Sequence, residues 1–215
     1  MPRAFQQAMK FLRNAIRCGI FGRSGTSSVN GGFDPDFFVW SGSEYYAEAR
    51  FAMHAQRSLT CGNLFHHAVE MLLKAGLAKR GKTLSELESM RHNLKKLWRA
   101  YKNDHPEARL ERHNKTINRL DKHEEIRYPN PSLHSIGLSL QWSGEPAEVK
   151  TSGGLRTPKQ YAIVVSDIDD LVADLFKTSS WNAGVFMKAN PAALEAIKRE
   201  NNHATFLTTV IAARF

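Results

Sequence analysis

The sequence predicts a mainly α-helical protein, an antiparallel up-and-down helical bundle with a small β-hairpin inserted before its closing helix. Three observations carry that expectation. Phe65, Ala68, Val69, Leu72 and Ala75 recur at the spacing of one buried helical stripe. Tyr161, Val164, Val165, Ile168, Leu171, Val172 and Leu175 repeat the pattern behind Thr157 and Pro158, a pair suited to a first helical turn. Between these stretches Pro129 and Pro131 interrupt any helix, and Ile136, Leu138, Leu140 and Trp142 then alternate at the period of a strand.

A chain of 215 residues suits one domain with additions and can bury a substantial core. Its 42% hydrophobic and 24% charged content is that of a globular protein and argues against global disorder. No stretch of eighteen uncharged apolar residues occurs, so no membrane span is expected. Cys18 and Cys61 are the only cysteines, which excludes a disulfide framework and makes a reducing cytoplasm the expected setting. The formal charge of +9 favours an anionic partner such as nucleic acid, a nucleotide or anionic lipid.

In chain order, residues 1–42 read as a basic helical arm and linker. Arg3, Lys10, Arg13, Arg17 and Arg23 accompany an apolar stripe of Phe5, Met9, Leu12 and Ile16, which suits an ordered arm better than a cleaved presequence. The glycine- and serine-rich run from Gly22 to Gly32 lacks the Gly-Lys-Ser/Thr end of a phosphate loop. Phe33, Phe37, Phe38, Val39 and Trp40 form an aromatic plug for one end of the core.

The bundle is expected over 43–179. Ser41 or Ser43 caps a first helix carrying Tyr45, Tyr46, Ala49, Met53 and Leu59. The Phe65 stripe makes the second, ended by Gly81, and Thr83 or Ser85 starts a third that runs through Leu94, Leu97, Trp98 and Tyr101. A charged fourth helix follows Pro106 with Leu110, Ile117 and Leu120 inward. The hairpin is expected near 136–150, turning at Ser143 to Pro146, and the closing helix from Pro158 to Lys177. A C-terminal extension, 180–215, holds a capped helix from Asn190 to about Arg199 and a β-branched segment from Phe206 to Ile211 that reads as a strand or a packed end.

Two groups of residues carry candidate chemistry. His66, His67, Glu70 and Lys74 fall at helical intervals and read as a hydrogen-bonded polar row at a helix or dimer interface. No metal is expected, because the nine histidines show no paired ligand spacing. Arg91, His92, Lys95, Lys96 and Arg99 form a basic cluster with no acid between Arg91 and Lys102, the preferred phosphate-facing surface. By contrast, acids interleave with the basic residues of the fourth helix, which reads as a solvated face.

His67-Ala-Val-Glu-Met-Leu-Leu-Lys-Ala75, then His92-Asn-Leu-Lys-Lys-Leu97, then Arg127-Tyr-Pro129 follow one another in an order that resembles the HEPN family (higher eukaryotes and prokaryotes nucleotide-binding) over roughly Ser43 to Ser179. The resemblance implies an antiparallel helical bundle that commonly dimerises and works with RNA or nucleotides. Some members are metal-independent ribonucleases, some are toxins of toxin-antitoxin pairs acting with a small nucleotidyltransferase partner, and others bind without catalysis. The expectation for this chain is a non-catalytic RNA- or nucleotide-binding protein without a cofactor, acting as a homodimer or with a nucleotidyltransferase. Arg91, His92, Lys95, Lys96 and Arg127 are its candidate binding residues.

One alternative is a ribonuclease of the same fold. Catalytic members of the family place an Arg and, four to six residues later, a His on the closing helix, and the segment from Pro158 to Lys177 has neither. Arg127 and His134 supply a similar spacing, with His134 relaying a proton at the ribose 2′-hydroxyl and Arg127 stabilising the phosphorane, although Pro129 and Pro131 break the helix that would align them. The other alternative is a structural adaptor whose aromatic cluster and terminal extensions cover another protein.

Overall fold

Residues 34–127, 136–146, 159–188 and 190–209 are described by the structure, a computed structural model. The protein is mainly helical, with eight α-helices and one two-stranded parallel sheet among these residues. The basic arm and glycine-rich run at 1–33 lie outside them.

Helix α1 (Pro35–His54) starts earlier than expected. Asp34 accepts a hydrogen bond from Asp36 N at 2.9 Å and Pro35 needs no N–H partner in the first turn. Ser43 is therefore not a cap: it is buried in mid-helix and its hydroxyl donates to Val39 O at 2.8 Å. Phe37 and Trp40, with ring centroids 6.2 Å apart, belong to the first turns of α1 rather than to a separate plug, so the linker expected up to residue 42 ends before Asp34.

Ala55 to Arg57, with Gln56 at φ +56°, turn the chain into α2 (Ser58–Lys79). Gly42 packs on Leu72, the Tyr45 ring lies 5.5 Å from His67, and the Tyr46 ring lies 6.1 Å from Phe65. Partner numbers fall along α2 as they rise along α1, so these two helices are antiparallel. A Cβ on Gly42 would come within 2.9 Å of Leu72 Cγ, which is why the close approach needs glycine. The predicted stripe of Phe65, Ala68, Val69, Leu72 and Ala75 is buried throughout.

The single third helix expected from Thr83 is instead two. Thr83 and Glu86 form a capping box that starts α3 (Leu84–Ser89), and Asn93 caps α4 (Leu94–Asp104) by accepting from Lys96 N at 2.8 Å. Between them Arg91 takes φ +51°, a left-handed conformation that ends a helix. The break brings the chain back along α2: His92 meets Glu70, and Tyr101 lies against Gly76. Contacts therefore advance in the same direction along α2 and α4, and the up-and-down alternation does not extend through α4.

A 3-10 turn (Glu111–His113) precedes α5 (Asn114–Lys122), later than the start expected at Pro106, and a second (His123–Ile126) continues it. Leu110, Ile117 and Leu120 are buried as expected.

Strand β1 (Ile136–Gln141) pairs in parallel with β2 (Lys159–Val164), from Ile136 opposite Lys159 to Gln141 opposite Val164. This corrects two expectations. The hairpin arm placed at 147–150 lies outside the described residues, and the partner β1 has is a parallel strand, which requires a crossover rather than a tight turn. The closing helix, α6 (Val165–Thr178), begins only after β2, so Tyr161 and Val164 are strand residues. Tyr161, Ile163 and Val164 are aromatic or β-branched, and a short apolar run of that kind satisfies either period until tertiary pairing decides.

The C-terminal segment is part of the body. Beyond a 3-10 turn (Ala183–Lys188), Asn190 caps α7 (Pro191–Lys198), and of the strand or packed end expected from Phe206 the described residues form a packed helix, α8 (Ala204–Thr208), with Leu207 buried. The tie is Arg50, fully buried on α1. It donates to both Asp169 carboxylate oxygens on α6, to Ala196 O at 2.9 Å and to Arg199 O. Tyr46 donates to Asp169 Oδ1 at 2.6 Å and accepts from Asn201 Nδ2 at 3.0 Å. Among the described residues no helix is long and apolar enough to cross a membrane.

Removing one partner of a buried ion pair strands the other charge, so Asp169→Ala should lose about 3–5 kcal/mol, read as a lower urea midpoint with an unchanged m-value. The double variant Arg50→Met/Asp169→Leu should lose less than the single one. Equal losses would show that the pair's charges are not what the core answers to.

Candidate functional site

Glu70 is the centre of the polar row. Its side chain is fully buried, and α2 sets His67 one turn before it and Lys74 one turn after it. Lys74 Nζ donates to Oε1 at 2.6 Å. Oε2 lies 3.3 Å from His67 Nδ1 and 2.9 Å from His92 Nδ1, the latter delivered by the break between α3 and α4. Burial alone would push this carboxyl up, but the hydrogen bond from His67, the charge and hydrogen bond of Lys74 and the hydrogen bond from His92 bring it down to about 2. Glu70 is thus an anion held by three donors.

The row continues through imidazoles. The His67 ring lies 5.9 Å from that of His92 and 5.6 Å from that of His66. His66 is buried, and because a carbonyl only accepts, its Nδ1–H donates to Leu120 O at 3.0 Å. That leaves His66 Nε2 as an acceptor 3.8 Å from Glu124 Oε2, with no hydrogen-bond partner among the described residues. Arg127 Nη1 donates to Glu124 Oε1 at 3.4 Å. Glu70 thus gathers Lys74, His67 and His92, the His66 ring stands edge-on beside His67, and Glu124 pairs separately with Arg127; of these residues only Glu124 was not singled out in the sequence.

Arg91, His92, Lys95, Lys96 and Arg99 are all exposed, whereas Leu94, Leu97, Trp98 and Tyr101 are buried. Lys95 pairs with Asp121 at 3.1 Å, and Lys96 Nζ donates to Ser89 O at 3.3 Å. Among the described residues the side chains of Arg91 and Arg99 enter no ion pair. Of the catalytic pair expected from Arg127 and His134, His134 lies outside the described residues.

A second cluster was not legible in the sequence. Asp174 on α6 accepts from His113 Nε2, 2.7 Å away, and from Arg112, pinning the turn before α5 to α6. Cys61 is a buried free thiol, pushed by burial up to about 12 and so inert as a nucleophile. No family model, curated protein or solved structure matches this chain.

His123 sets the acid limit of the site. It is fully buried against Gly62, where a Cβ would come within 2.3 Å of its Nδ1, and burial, reinforced by His66, pushes its pKa down to about 4. The neutral ring is the folded form, so its contribution is complete above the unfolded value of 6.5 and is lost as pH falls toward 4. The loss should approach about 3 kcal/mol by urea denaturation between pH 7 and pH 4. His123→Phe should flatten that dependence by a similar amount.

Proposed function

We propose that this chain is a HEPN-like, non-catalytic RNA- or nucleotide-binding protein that engages phosphates through the outward face of α4. The observation that carries the reading is the division of that stretch: the apolar residues of α4 are buried, and Arg91 and His92 just before it and Lys96 and Arg99 on it face solvent without an acid among them. Cations on an exposed face gain affinity for a polyanion by releasing its counterions. Lys95 and Arg127 contribute less, because Asp121 and Glu124 already draw on their charge. The reading also takes from the family resemblance a homodimer or a nucleotidyltransferase as the protein partner.

Fluorescence anisotropy with short mixed-sequence RNAs and labelled nucleotides at low salt tests it. Arg91→Ala/Lys96→Ala/Arg99→Ala should weaken binding at least tenfold and reduce the salt slope by about 2. A wild-type protein that binds neither probe at low salt overturns the proposal.

A further inference from the structure

We propose that His67, Glu70 and His92 form a binding site for one divalent transition-metal ion of the zinc type. This goes beyond the RNA-binding reading and does not depend on it. One ligand atom from each of the three residues lies within 4.8 Å of the other two. A four-coordinate ion with ligand distances of about 2.0–2.1 Å needs ligand atoms about 3.3 Å apart. Glu70 Oε2 already stands 3.3 Å from His67 Nδ1 and 2.9 Å from His92 Nδ1. Both carboxylate edges are therefore within a few tenths of an ångström of that spacing, the imidazole nitrogens lie within 4.8 Å of one another, and entry of the ion asks the His67 and His92 rings to turn and close on it.

The donors are also prepared for the ion. Lys74 holds Oε1 at 2.6 Å, and His92 Nδ1 lies 3.1 Å from that oxygen and 2.9 Å from Oε2, so Oε2, which Lys74 leaves to the two imidazoles, is the oxygen Glu70 offers the ion. His67 is set by α2, while the His92 side chain is 50% exposed and leaves a fourth position open to water. Two imidazoles with one carboxylate suit Zn²⁺, Co²⁺ or Ni²⁺ and disfavour Mg²⁺ and Ca²⁺, which take oxygen. Without the ion, both imidazoles donate Nδ1–H to Glu70. On binding, each neutral ring loses its Nδ1 proton to water and regains one at Nε2, so Nδ1 turns its lone pair to the ion and no net proton is released. The positive charge of Lys74 opposes the ion, and its existing bond to Oε1 keeps it from the vacant side.

The sequence places His67 and Glu70 together on α2, where they read as part of a polar row, but does not join His92 to them, because it is remote from the pair and no short ligand motif results. The test uses the full chain after chelator treatment, titrated with Co²⁺ by visible absorption and with Zn²⁺ by calorimetry. One ion per chain and the intense visible bands of tetrahedral Co²⁺ are expected, with His92→Ala weakening binding at least tenfold and His67→Ala/His92→Ala abolishing it. Circular dichroism checks that the variants stay folded, and His92→Ala, changed at a half-exposed position outside the helices, provides the arm least sensitive to folding. The proposal fails if the wild type binds neither ion, or if the double variant binds as the wild type does. Metal binding is read without RNA, so its failure is separable from failure of the RNA-binding proposal.

Discussion

A guanidinium with no access to water must find partners for its N–H groups, and Arg50 directs four hydrogen bonds to α6 and the end of α7. Asp169 on α6 takes two of its bonds, and the carbonyls of Ala196 and Arg199 at the end of α7 take others. Trp142, which follows β1, sits 5.5 Å from the same group. Because a partly satisfied buried charge costs more than an apolar residue would, this one position holds α1, α6 and the C-terminal helices in a single arrangement. Tyr46 and Asn201 complete the network, and the α1–α2 pair is thereby fixed against the rest of the fold.

Elsewhere on the same pair, α2 carries the opposite kind of polar centre. Asp169 and Arg50 are closed to solvent on both sides, so their chemistry ends in structure. Glu70 is equally buried, but one of its donors, His92, is half-exposed. A buried anion whose outer ligand reaches water can exchange that contact for another, whereas Asp169 cannot without unpacking α1. That difference in access is the physical ground for placing function at Glu70 and architecture at Arg50.

What the sequence disclosed follows from which interactions are local. The Phe65 stripe, the polar positions beside it and the split of α4 into an apolar and a basic face all arise within a few turns of one helix, where spacing determines direction. Arg50 and Asp169 are 119 positions apart, and each reads on its own helix as an ordinary surface charge. Likewise Glu70 and His92 meet only through tertiary structure. The strand at Lys159–Val164 was hidden for another reason: its inward residues continue smoothly into those of α6, so the pattern reads as one helix until β1 supplies the hydrogen bonds.

The break at Arg91 ties these points together. No glycine or proline marks it, and a helix continued from Thr83 would have carried the chain away from α2 at about 1.5 Å per residue. A single left-handed residue instead returns His92 to Glu70 and starts α4 afresh at Asn93, with Leu94, Leu97 and Trp98 turned to the core. His92 then belongs at once to the buried carboxylate and to the exposed basic face. Any cation or anion that binds on one side of it changes the field on the other, and thermodynamic linkage makes such an effect reciprocal.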